Sequence, residues 1–142
     1  MSAVENAEDD VEAARDGVRE LELGPSDILI ALSASGGTPF TCAAIDLAAK
    51  TGALTVGIAN NDGSPLLAKA EIAIPILTGA EAVAGSTRLK AATAQKICLN
   101  MISTLVMTRL GYVRDGQMIA MKPSNAKLRA RYDRIHGGGD GD

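Results

Sequence analysis

Ile28-Leu29-Ile30-Ala31-Leu32, followed by Ser33-Ala34-Ser35-Gly36-Gly37-Thr38-Pro39, is the stretch that decides the fold. An unbroken apolar run bounded by turn residues reads as a strand covered on both faces, in the centre of a parallel sheet. Gly24-Pro25-Ser26-Asp27 supplies the turn before it, and the Ser/Gly loop ends it. Pro39 then stands where a first helical residue belongs, and Ala43, Ala44, Leu47 and Ala48 give a small-residue helical face that ends before Gly52.

Working outward, Leu54 to Ala59 reads as a second strand. Asn60-Asn61-Asp62-Gly63-Ser64-Pro65 is a turn into a short helix, and Ile72-Ala73-Ile74-Pro75-Ile76 is a third strand whose proline marks an end or an edge. This βαβαβ order predicts an α/β fold: a three-layer αβα, Rossmann-like arrangement on a parallel sheet of about three strands, with right-handed crossovers placing helices on both faces. Upstream, Val4, Ala7, Val11, Ala14, Val18 and Leu21 lay an apolar stripe along a helix or a closely broken pair of helices. Glu5, Glu8, Asp9 and Asp10 crowd its start, where acids suit the helix dipole. Downstream, Ser86 or Thr87 is placed to cap a helix from Arg88 to Leu110, on which Cys98, Met101, Ile102 and Leu105 share a face. Gly111 ends it, and a last amphipathic helix covers Asn125 to Ile135.

Composition narrows the function. The chain has 142 residues, enough for one domain spanning 1–136, followed by a Gly/Asp tail at 137–142 with nothing apolar to bury. A net charge of −3 and 2% aromatic residues argue against a nucleic-acid partner. No apolar run reaches the roughly 20 residues of a membrane helix, and the acidic N-terminus has no signal-peptide core, so the expectation is a cytoplasmic protein without a membrane partner. Cys42 and Cys98 sit among aliphatic residues with no metal-binding spacing, and read as buried thiols in a reducing compartment. No metal or other cofactor is expected.

The chemistry concentrates after the first strand, because open parallel sheets bind ligands beyond the carboxyl ends of their strands. Ser33, Ser35, Thr38 and Thr41 offer hydroxyls, Gly36 and Gly37 allow close backbone approach, and the following helix points free N–H groups at the same place. No Lys and no P-loop pattern occur there, so a phosphate monoester fits better than a nucleoside triphosphate. The same residues would also make an ordinary turn and helix cap. A second polar cluster, Gly79-Ala80-Glu81 through Gly85-Ser86-Thr87-Arg88-Leu89-Lys90, follows the third strand. Glu81 would contact sugar hydroxyls or move a proton, or simply be a solvated loop acid. Arg88 and Lys90 oppose the dipole of the helix they open, which calls for an anionic ligand or a nearby acid.

These two clusters resemble those of the N-acetylmuramic acid 6-phosphate etherases, in the SIS (sugar isomerase) domain superfamily that also includes the glucokinase regulatory protein. Ser33 to Pro39 looks like the family's phosphate loop, and Gly79 to Lys90, continuing to Thr93-Ala94-Gln95-Lys96, looks like its signature segment. The resemblance runs from about Ala3 to Ile135. It implies that Ser33, Ser35, Gly36 and Thr38 hold a hexosamine 6-phosphate, that Ser86, Arg88 and Lys90 line the substrate, and that Glu81 faces the sugar. Ala3-Val4-Glu5-Asn6-Ala7-Glu8-Asp9 looks like the segment bearing the catalytic base, which places that role on Glu8. It implies a homodimer that eliminates lactate from the C3 ether and then adds water, giving N-acetylglucosamine 6-phosphate. Compared with the family, the chain lacks an N-terminal half with two more strands, another Gly/Ser loop and the general acid, and lacks the C-terminal helical domain; Ala84 stands where Thr is usual. Two other functions share the pattern: a non-catalytic phosphosugar sensor, and an aldose–ketose isomerase using Glu81.

Overall fold

The computed structural model describes residues 6–136. The expected tail at 137–142 and Val4 of the apolar stripe lie outside the described residues. The chain divides into two compact units after Lys96.

In the first unit, β1 (Ile28–Ser33), β2 (Leu54–Ala59) and β3 (Ile72–Pro75) form a parallel sheet in the order β1-β2-β3. Ser33 pairs with Ala59 and Ala59 with Pro75, so the strands end level and their loops leave from one edge. β2 is the central strand, buried from Thr55 to Ala59. β1, expected in the centre and covered on both faces, is an edge strand that pairs with β2 alone among the described residues. Its Ala31 and Ser33 are buried, whereas Ile28 is 60% and Ile30 37% exposed. Pro75 does close an edge strand, where a missing N–H is tolerated.

The two crossover helices, α2 (Pro39–Lys50) and α3 (Pro65–Lys69), pack against the same face of the sheet. Ala31, Ile45 and Leu66 meet there, with Leu29, Cys42 and Ala70 around them. Gly57 allows the approach, since a Cβ on it would lie 2.9 Å from both Ala70 Cβ and Leu66 O. Crossovers of one hand reach opposite faces only where the strand order reverses. With the order β1-β2-β3 it does not reverse, and both crossovers stay on one side. The first apolar stripe is a broken pair, as expected: one 3-10 turn, Ala7–Asp9, then α1 (Val11–Glu20). Asp10 makes the break and caps α1, accepting the Ala13 N–H at 2.9 Å. Ala14 and Val18 are buried, and α1 packs on α2.

α4 (Lys90–Arg109) crosses into the second unit and ends at Gly111, whose φ of 78° lets Tyr112 N–H reach Met107 O at 2.9 Å. A hairpin that the sequence reading missed follows: β4 (Val113–Arg114) and β5 (Gln117–Met118), joined at Asp115-Gly116 with φ of 50° and 71°. α5 (Ala126–His136) starts one residue later than expected, because Asn125 serves as its cap and accepts the Leu128 N–H at 2.9 Å. Cys42 and Cys98 are free and half-buried rather than buried. Among the described residues, no helix is long and apolar enough to cross a membrane.

Candidate phosphate and sugar site

Ser33 is the last residue of β1, and its buried hydroxyl is the hub of the loop. It lies 2.9 Å from Thr38 Oγ1 and 3.2 Å from Ser35 Oγ, and accepts the Gly36 N–H at 3.0 Å. The Gly37 N–H donates to Ser35 Oγ at 3.1 Å. Gly36 has φ of 69° and anchors the loop to the start of α3, its carbonyl accepting the Leu66 N–H at 2.8 Å. Thr38 holds the cap position of α2, yet its side chain turns to Ser33 and caps nothing. Pro39 has no N–H to offer, so the next amides of the first turn face the loop without a side-chain acceptor. The four residues expected to bind phosphate are therefore gathered in front of a helix N-terminus, an arrangement suited to a dianion.

Glu8 lies in the Ala7–Asp9 turn, ahead of α1. α1 delivers the chain to Ile28 and α2 delivers it to Leu54, and these two residues are register partners. α2 thus runs from the carboxyl edge of the sheet to its amino edge. The Ala7–Asp9 turn packs on α2. Glu8 is exposed there and makes no hydrogen bond among the described residues.

Glu81 has a different setting from the one expected. Its carboxylate accepts the Ala91 N–H at 2.9 Å and the Lys90 N–H at 3.0 Å, so that it, and neither Ser86 nor Thr87, caps α4. The Ala91 N–H, then the Lys90 N–H, hold its carboxyl below the ordinary Glu range. A carboxylate so engaged is a poor proton acceptor. It is also the nearby acid that Lys90 required, and the Lys90 ammonium turns back to Ala80 O at 2.7 Å. Ser86 is half-buried and Arg88 exposed in the same loop.

Asn60 and Asn61, read from sequence only as turn residues, tie the strand-end loops together. Asn61 Nδ2 donates to the carbonyls of Ala34 and Ser35, each at 3.3 Å. Asn60 N–H donates to Ala34 O at 3.1 Å, its Nδ2 to Ile76 O at 2.9 Å, and its Oδ1 accepts Gln95 Nε2 at 2.9 Å. The available signal was their position one and two residues past a strand in a parallel sheet. Burial, foremost, pushes the Cys42 thiol above its usual range, which disfavours the reactive thiolate beside the loop. In the second unit, a cavity of about 710 Å³ is lined by Gln117, Asn125, Lys127, Leu128, Arg131 and Arg134, among others, and shares no residue with the loops above.

Residues 7–106 match the model of the SIS domain family. The chain is 48% identical over 133 residues to the N-acetylmuramic acid 6-phosphate etherase of Deinococcus radiodurans, covering 94% of this chain and 44% of that protein. The etherase of Streptomyces coelicolor is 48% identical, with 95% and 43% covered, and that of Bacillus subtilis 42% identical, with 92% and 43% covered. The chain thus spans less than half the length of these relatives. A solved Bacillus subtilis protein described as a phosphosugar isomerase is 30% identical, with a TM-score of 0.44, over 56% of this chain and 25% of that one.

Proposed function

The chain belongs to the SIS domain family, and from that premise we propose that it forms the phosphosugar-binding part of an N-acetylmuramic acid 6-phosphate etherase. One observation carries the reading: the hydroxyls of Ser33, Ser35 and Thr38 converge before the uncapped start of α2, at the edge where parallel sheets bind ligands. The etherase relatives, similar over nearly the whole chain, supply the sugar. In this reading the 6-phosphate of a hexosamine takes its hydrogen bonds from the loop hydroxyls and the first-turn amides of α2. The Ser86–Lys90 loop faces the sugar.

The reaction that follows is an elimination. Glu8, exposed in the turn ahead of α1, takes the C2 proton made acidic by the neighbouring aldehyde of the open-chain sugar. The C2 electron pair forms the C2–C3 double bond, and the C3–O bond breaks as an acid protonates the departing lactate oxygen. Water then adds across that double bond. We assign Glu81 to holding α4, since its two oxygens already accept backbone N–H groups; this disfavours an isomerase that would need it as a proton shuttle. The reading includes a cytoplasmic homodimer, supported by the exposed Ile97, Met101 and Leu105 of α4, which an assembly would cover.

The test is thermal shift and calorimetry of the full chain with N-acetylmuramic acid 6-phosphate and N-acetylglucosamine 6-phosphate. Binding lost in Ser35→Ala supports the reading, and no binding to the wild-type chain refutes it. In a full-length etherase carrying this sequence, Glu8→Gln is expected to bind the sugar and release no lactate; unchanged lactate release would remove Glu8 from the mechanism. Light scattering checks the dimer.

A further inference from the structure

We infer that Asn60 is a positioning residue that sets the sugar-facing segment, Glu81 to Lys90, at a fixed place relative to the phosphate loop, and thereby tunes selectivity for the sugar over bare phosphate. The inference rests on the phosphosugar reading above and adds to it the residue that joins its two halves.

Asn60 is the first residue after β2, half-buried between the two other strand ends. Through its backbone N–H it holds Ala34 O, in the loop after β1, at 3.1 Å. Its side-chain Nδ2 holds Ile76 O, just past β3, at 2.9 Å, and its Oδ1 receives Gln95 Nε2, on α4, at 2.9 Å. α4 in turn begins on the Glu81 carboxylate, through the Lys90 and Ala91 amides. The stretch from Ile76 to Gln95, which contains Glu81, Ser86, Arg88 and Lys90, is therefore pinned near both ends by one side chain. A carboxamide suits this place because it donates and accepts at the same time, at a fixed angle. An aspartate keeps the acceptor for Gln95 and sets a carboxylate oxygen against Ile76 O; an alanine loses both bonds.

The bond to the phosphate loop is made by the backbone, so it survives substitution of the side chain. The phosphate loop and the sugar-facing segment can thus be separated experimentally. Binding of inorganic phosphate and of N-acetylglucosamine 6-phosphate to the full chain is measured by calorimetry for wild type, Asn60→Ala, Gln95→Ala and the double variant. Asn60→Ala is expected to weaken sugar phosphate binding by about tenfold, the scale of one or two lost hydrogen bonds. Its affinity for phosphate is expected to stay within about twofold. Gln95→Ala should lose selectivity in the same direction, and the double variant should be no worse than Asn60→Ala, because the two share a bond. General destabilisation lowers both affinities together and leaves their ratio unchanged, so an unchanged ratio overturns the inference. If Asn60→Ala does not fold, Gln95→Ala, which removes one bond, gives the same reading. A wild-type chain that binds neither probe sinks the phosphosugar reading and this inference with it. Wild-type binding with an unaltered ratio in the variants sinks this inference alone.

Discussion

Gly36→Ala tests how the phosphate loop is held against α3. At φ of 69° the residue is in the left-handed region, and a Cβ there would lie 2.1 Å from Ser64 Oγ, 2.4 Å from Ser64 Cβ and 3.0 Å from Ala59 Cβ. The backbone conformation alone costs about 1 kcal/mol for a residue with a side chain. Ser64 and Ala59 are buried, so neither yields easily, and forcing a methyl between them adds about 1 to 3 kcal/mol. The sum is roughly 2 to 4 kcal/mol. For a folding unit of fewer than 100 residues, this lowers the melting temperature by at least about 8 °C. Urea denaturation of the full chain, read at constant slope, gives the number. Most of the steric share is removed by repeating the substitution in a Ser64→Gly background, which deletes both nearest atoms and leaves the backbone cost and the 3.0 Å approach to Ala59 Cβ; there Gly36→Ala should cost about 1 to 2 kcal/mol. In Ser64→Ala, which removes Oγ alone, the cost should fall between the two. Ser64 Oγ is itself buried without a hydrogen-bond partner among the described residues, so its removal orphans none of their polar groups. A cost that is the same in all three backgrounds, or under about 0.5 kcal/mol in the first, would refute the reasoning.

Gly57→Ala pushes a Cβ to within 2.9 Å of Ala70 Cβ and of the Leu66 carbonyl; a loss of about 1 to 3 kcal/mol in urea denaturation is expected, and a neutral result would mean that α3 rides higher on the sheet than described. Ser33→Ala leaves the Gly36 N–H without its acceptor and should cost about 1 to 3 kcal/mol along with phosphosugar binding, whereas the exposed Ser35→Ala should lose binding with stability within about 0.5 kcal/mol. Equal stability losses in the two would count against Ser33 as the hub. The Glu81 carboxyl titrates below its unfolded value because the Ala91 and Lys90 amides donate to its charged form. Its contribution to stability is therefore complete above the ordinary Glu pKa, and is lost as pH falls through the lower, folded value. Protection of the Lys90 and Ala91 amides against hydrogen exchange, corrected for intrinsic rates, should fall across that acidic window; Glu81→Gln should remove the pH dependence, and its persistence would point to another group.

What sequence made legible was local. The bounds of β2, Leu54–Ala59, and the start of α2 at Pro39 agree with expectation because turn residues and a Pro mark them within a few positions. The gathering of Ser33, Ser35, Gly36 and Thr38 was equally legible, since a loop of that length at a strand end has little choice. The Asp115-Gly116 hairpin carried a local signal too, but two-residue strands have no periodicity to confirm it. Strand order is not local: Ile28 to Leu32 is as apolar as a central strand, yet among the described residues it pairs with β2 alone.

The cap of α4 shows the same limit with a chemical consequence. Ser86 and Thr87 precede the helix and are the residue types that cap from within, yet the acceptor is Glu81, nine residues before Lys90. A carboxylate outcompetes a hydroxyl at a helix start because its charge meets the dipole and its two oxygens take two amides at once. Sequence spacing cannot reveal a cap that folds back from a loop. Once those bonds are in place, of the two acids expected to move protons Glu81 is engaged, while Glu8 is exposed and makes no hydrogen bond among the described residues. The division of labour proposed here follows from that difference in partners: Glu81 fixes the helix that borders the sugar, and Glu8 carries the proton.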